Sequence, residues 1–130
     1  MAGHPARTRR QLLSHALSLP GAWEDHPWDE DAVAKVGRKI FVFFGMGPDL
    51  GFAVKLDESL DQALMVPGAA PTGYGLGRAG WVTIPLLATT PPLPVLKDWV
   101  EESYGRVAPK RLVAELDRTS GEGRRSRART

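Results

Sequence analysis

The sequence predicts an α/β (α+β) fold, a two-layer sandwich in the order α-β3-α-β2-α, with five strands in a mainly antiparallel sheet and the helices on one face. Three observations predict it. Apolar residues recur at helical spacing near both ends of the chain. Between them lie runs rich in β-branched and aromatic residues, and glycine or proline turns join those runs as hairpins.

The first element is "TRRQLLSHALSLPG", where Leu12, Leu13, Ala16, Leu17 and Leu19 keep helical spacing, Thr8 is a fitting N-cap and Pro20-Gly21 a stop. "AWEDHPWDEDA" reads as a polar connector whose Trp23 and Trp28 fold back on the core. "AVAKVGRKIFVFFG" reads as two strands that meet at Gly37-Arg38, because Val33, Val36, Ile40, Val42 and the phenylalanines are β-formers. "MGPD" is a second turn and "LGFAVKL" a third strand. "DESLDQALMV" is a short helix, capped by Asp57 or Ser59 and ended by Pro67-Gly68. "PTGYGLGRAGWVTIPLL" is a glycine-loosened hairpin. "PLPVLKDWVEESYGRVAPKRLVAELDR" opens on prolines suited to a helix start and places Leu96, Trp99, Val100, Ser103, Tyr104 and Val107 on one face, with Gly105 and Pro109 expected to bend or split it. "SGEGRRSRART" has no periodicity and reads as disordered. Residues 1–117 are thus expected to form one domain and 118–130 a basic tail.

Composition narrows the function classes. The 130 residues, 42% of them hydrophobic, suit a single globular domain. The absence of cysteine removes disulfides, thiolate zinc sites and cysteine nucleophiles, and is compatible with a reducing compartment. No apolar run approaches the ~18 to 20 residues of a membrane helix, so no membrane partner is expected. His15 and two serines interrupt the apolar stretch near the start, so a secretory signal is not expected and the chain reads as cytoplasmic. The net charge of +2 conceals an asymmetry: residues 118–130 carry five arginines against Glu122, Arg7, Arg9 and Arg10 lie at the other end, and residues 11–117 are left at −5.

"GYGLGRAGW" contains Gly75-x-Gly77-x-x-Gly80, the spacing of a dinucleotide fingerprint. Such a fingerprint works where it follows a strand and opens a helix, whose free N–H groups meet the pyrophosphate. Here it opens onto "WVTIPL", which alternates like a strand and contains Pro85, so no nucleotide cofactor is expected.

In order along the chain, "LPGAWEDHPW", "KVGRKIF", "AVKL", the Tyr74-x-x-x-Arg78-x-x-Trp81 spacing and "ESYGRVAPKRL" resemble the MmcQ/YjbR family, over about Leu19 to Leu112. The resemblance implies a small bacterial protein of a secretion-chaperone-like α/β fold. It also implies a DNA-binding function, since the family's hairpins are likened to a double wing. Where that family commonly has histidine, Asn-Lys and histidine in the second hairpin, this chain has Gly75, Gly77-Arg78 and Gly80. The three glycines then read as by-products of lost polar residues, with Arg78 the surviving cation.

The candidate nucleic-acid surface is Lys35, Arg38, Lys39, Lys55, Arg78 and Trp81 on or between the hairpins, since cations neutralise phosphates and a flat ring stacks on a base or sugar. The competing reading is a solvated sheet face with Trp81 in the core, and for the tryptophan that reading is favoured. Arg124, Arg125, Arg127 and Arg129 could hold polyanions by counterion release, without reading sequence. The acidic connector Glu24, Asp25, His26, Asp29, Glu30, Asp31 lacks the spaced ligands and turn glycine of a calcium loop, and no metal is expected there. His4, His15 and His26 are scattered, no catalytic motif is present, and Ser103-Tyr104 with Lys97 and Glu101 reads as a packing face, so no enzyme is expected. The expected function is DNA binding, duplex DNA being the partner, through the hairpin cations, the arginine tail, or both. The alternative is a protein- or small-ligand-binding module using the groove between the sheet and the last helix, which an acidic body favours.

Overall fold

A computed structural model describes residues 5–28, 31–46, 51–73, 75–86 and 90–118. Helix α1 (Pro5–Leu17) is followed by strands β1 (Ala22–Trp28), β2 (Asp31–Val36), β3 (Lys39–Met46) and β4 (Gly51–Lys55). Helix α2 (Leu60–Leu64), strand β5 (Ala70–Pro71), a 3-10 turn (Leu76–Ala79), strand β6 (Trp81–Ile84) and helix α3 (Leu93–Val107) complete the order, and residues 110–118 are again helical. The strands form a single sheet, β1-β2-β3-β4-β6-β5, in which every neighbouring pair is antiparallel. No helix among the described residues is long and apolar enough to cross a membrane.

The sandwich is the one expected, with one more strand. The extra strand is β1: the connector after α1 pairs with β2 through Ala22↔Val36, Trp23↔Lys35, Glu24↔Ala34 and Asp25↔Val33. Its charges and Pro27 obscured it, yet both suit a strand at the sheet edge, where unpaired N–H groups face solvent. Trp23 does not fold back on the core, being 44% exposed. The side chain of Trp28 and the turn residues 47–50 lie outside the described residues. Thr8 does not cap α1, because the helix already begins at Pro5, a residue whose fixed φ suits a first turn.

Alternate strand residues face the helices. Phe52 and Val54 of β4, Val42 and Phe44 of β3, and Val82 and Ile84 of β6 are fully buried in one core with Leu12 and Ala16 of α1 and Leu96, Trp99, Val100 and Tyr104 of α3. Ala63 of α2 and Leu116 of the 110–118 helix belong to the same core. The opposite face is traced by the register: Asp25, Val33, Phe43, Ala53, Thr83 and Ala70 pair in succession and make a continuous row across all six strands.

α3 ends at Val107, and its C-cap Ala108 is extended at φ −73°, ψ 152° because Pro109 follows it. The expected break is therefore at Pro109, while Gly105 lies inside the helix. Three polar residues of α3 tie it to its neighbours. Glu101 meets the Nε2 of His15 in α1 at 2.8 Å. Glu102 accepts the N–H groups of Asp57 (2.8 Å) and Ser59 (3.2 Å), and the Ser59 hydroxyl at 2.7 Å. Ser59 thus sits at the N-cap of α2 without capping it. Ser103 is fully buried between β3 and β4.

Tyr104 is also fully buried, edge-on to Phe41 with ring centroids 5.3 Å apart, and donates its hydroxyl to the Pro20 carbonyl at 2.6 Å. Burial raises its pKa above the ordinary phenol value of 10.0, and Glu115 adds to the rise. The fold thus favours the neutral phenol. That contribution is complete below about pH 10, the unfolded value, and is lost as pH rises through the higher folded value. Tyr104→Phe is expected to cost about 1–2 kcal/mol near neutrality, because the Pro20 carbonyl loses its donor. The gap between wild type and variant should narrow above pH 10. Urea unfolding of both proteins at pH 7 and pH 11 checks this, and a gap independent of pH would show that the phenol proton is not what burial holds.

Candidate nucleic-acid interface

The strand directions decide which cations meet. β3 begins at the end of the sheet where β4 finishes and β6 begins. Arg38 and Lys39, Lys55, and Arg78 in the turn before β6 are therefore strung along one end, in that order across the sheet. β3 and β6 are two strand spacings apart, about 10 Å. The fold thus brings the predicted cations to one end, as a row with differing surroundings.

Arg38 and Lys39 follow the tight turn at Gly37 and are exposed, with no ion pair among the described residues. Lys35 is half-buried, and its Nζ lies 2.7 Å from a carboxylate oxygen of Asp25 on the neighbouring strand. This bond is the first cause holding the Asp25 carboxyl below its ordinary value, with the His26 backbone N–H second. Lys55 shares its face with Trp81, its cross-strand partner, but Asp57 and Glu58 follow at once, and Asp57 pairs with Arg106 at 3.3 Å. Arg78 is exposed, near the β5 edge. Trp81 is buried, 7% exposed, with its ring edge-on to Phe43 at 5.1 Å, so it is packing material. Arg124, Arg125, Arg127 and Arg129 lie outside the described residues.

The aromatic residue that sequence reasoning missed is Trp23. Its Nε1–H donates to the Gly37 carbonyl at 2.9 Å, which brings the indole against the β2–β3 turn. Lys35 lies over the ring, Nζ 5.1 Å from the centroid. The spacing Trp23-x-Asp25 was the available signal, since alternate residues share a face once "AWED" is read as a strand. Lys110 and Arg111, also exposed, join this end from the start of the last helix, because the position of Gly21 meets both Leu112 and Val36.

The glycines of the fingerprint are structural. Gly75 (φ +79°) and Gly80 (φ +99°) bracket the 3-10 turn, and a strand follows it, not a helix. A Cβ on Gly77 would stand 2.7 Å from the Pro71 Cβ, and one on Gly80 would stand 2.5 Å from the Leu56 carbonyl oxygen. These two are close-approach positions, which corrects the reading of them as mere by-products of lost polar residues.

A groove of about 560 Å³ lies between α3, the 110–118 helix and the β4–α2 connection. Val113 and Leu116 line it together with the carboxylates of Asp57, Glu58, Asp98, Glu102 and Asp117. It is the described counterpart of the expected groove beside the last helix, although no strand residue lines it. No group of three or more metal-binding side chains occurs among the described residues. Of the acidic connector, Glu24 pairs with His26 at 2.7 Å and Asp25 with Lys35, while Asp29 and Glu30 lie outside the described residues.

A family model described as YjbR matches residues 17–106. A solved crystal structure, that of the Deinococcus radiodurans protein DR2400 with a DUF419 domain, is similar at 30% identity and a TM-score of 0.65, over 91% of each chain. No curated protein matches.

Proposed function

Because the chain belongs to the YjbR family, we propose that it is a non-enzymatic, cytoplasmic DNA-binding protein whose ordered contact is the β2–β3 turn. The observation that carries this reading is the pair Arg38 and Lys39, exposed on a tight turn and engaged by no carboxylate among the described residues. Cations held on an ordered turn neutralise phosphates without first losing the freedom of a flexible arm. Lys110 and Arg111 lie at the same end, whereas the row weakens toward Lys55, where Asp57 and Glu58 intervene. The tail arginines add a second, unspecific attraction.

The test is fluorescence anisotropy of labelled DNA with the full chain and with a chain ending at Asp117, at two salt concentrations. The shortened chain should still bind, more weakly. Arg38→Ala with Lys39→Ala should weaken its binding about tenfold and, on duplex DNA, flatten the log K against log salt slope by roughly 1.8, at about 0.9 per phosphate contact. Arg78→Ala should matter less. Binding that vanishes with the tail would assign the affinity to the arginines of residues 118–130 alone. The acidic groove favours the second reading, a module for a cationic ligand or peptide, and no DNA binding by either chain would turn the assignment to it.

A further inference from the structure

We infer that Trp23 is a stacking platform for an unpaired base, and that the DNA this protein prefers is therefore single-stranded. The inference rests on the DNA reading above and names the form of DNA that the site takes. A tryptophan kept for packing would be buried, as Trp81 and Trp99 are at 7% and 2% exposure, but Trp23 is 44% exposed. It belongs to β1, the edge strand of the sheet among the described residues.

Its exposure is combined with restraint. The indole edge is fixed by the 2.9 Å bond from Nε1 to the Gly37 carbonyl. One face carries the Lys35 ammonium, 5.1 Å from the ring centroid, and Asp25 holds that ammonium in turn at 2.7 Å. At 44% exposure the ring keeps a substantial accessible surface beside this contact. A large, flat, pre-oriented apolar surface loses little freedom when a second ring is laid on it. A base inside a duplex has both faces covered by its neighbours, whereas an unpaired base offers its face to an aromatic side chain. The Gly37 carbonyl that anchors the ring belongs to the turn bearing Arg38, with Lys39 next in the chain. Phosphate-binding cations on the β2–β3 turn and a base-binding ring anchored to that turn from β1 are therefore neighbours.

The test uses the full chain and four DNA probes: a single-stranded thymidine oligonucleotide of about 12 nucleotides, within the usual site sizes, the same length with abasic sites, a duplex of that length closed by loops at both ends, and the loops alone. Anisotropy gives affinity and tryptophan fluorescence reports stacking. The thymidine strand should bind about tenfold more tightly than the closed duplex and quench fluorescence, while the abasic strand should bind without quenching. Trp23→Leu should lose the quenching and the preference, and Trp23→Phe should retain most of the preference. Equal affinity for strand and closed duplex, or a preference that survives Trp23→Leu, would overturn the inference and leave the DNA reading intact. Binding of no probe would overturn both.

Discussion

Gly80→Ala is expected to destabilise the protein by about 3 kcal/mol, from two sources that add. The first is torsional: Gly80 holds φ +99°, and an alanine in left-handed backbone costs roughly 1–2 kcal/mol. The second is contact. The new Cβ would stand 2.5 Å from the Leu56 carbonyl oxygen, which is backbone and cannot swing aside. Relief requires β4 and β6 to part at the point where the Leu56 N–H donates to the Gly80 carbonyl at 2.9 Å. Losing a buried bond of this kind costs about 1–3 kcal/mol. Gly75→Ala isolates the torsional part, because Gly75 has φ +79° but a methyl there would meet nothing within 4 Å. Its cost should be about 1 kcal/mol. Urea unfolding of both variants checks the difference, and equal losses would show that the approach of Leu56 is not what the glycine serves. Titration of the unaltered protein with a nucleotide then tests the fingerprint itself, since Gly77→Ala would disturb the Pro71 contact in any case.

The parts of the fold that were legible in the sequence are those where local pattern and tertiary role agree. The helical spacing of Leu12, Ala16 and Leu96, Trp99, Val100 marks core faces, and Gly37-Arg38 joins two strands as read. β1 was illegible because its residues answer to position in the sheet and not to the core. Trp23 and Asp25 share the face opposite the helices, Glu24 and His26 pair with each other, and Pro27 is permitted by the edge. The same misreading hid the candidate site, since a tryptophan in a supposed connector is expected to seek the core, whereas one on an edge strand beside a lysine need not. The cations at positions 35, 38, 39, 55 and 78 were legible as residues, but their surroundings required the register. Only the pairing of β1 with β2 brings Asp25 to Lys35. The role of Ser103 was illegible for a related reason: a serine on an apolar helix face looks like tolerated packing until the irregularity in β3 is seen.

That irregularity makes Ser103→Ala the other substitution of large effect. β2 pairs Ala34 with Val42 and then Lys35 with Ile40, so Phe41 is an extra residue in β3. On its other side β3 pairs Val42 with Val54, and continuing that register would set Phe41 opposite Lys55. In place of a direct ladder bond, the Ser103 hydroxyl stands between the two strands. It accepts the Lys55 N–H at 2.9 Å and donates to the Phe41 carbonyl. Alanine would remove the partner of a part-buried backbone donor and of a buried acceptor, at about 1–3 kcal/mol for the buried group and less for the other. Partial closure of β3 on β4 would recover some of this, so a net loss of about 3 kcal/mol is expected, with faster amide exchange at Lys55. The bulge also sets the path of β3 up to Lys39, so on the proposed reading the variant should bind DNA more weakly under conditions where it remains folded. A loss below about 0.5 kcal/mol, the ordinary range of a surface change, with unaltered exchange at Lys55 would show that the hydroxyl is a bystander.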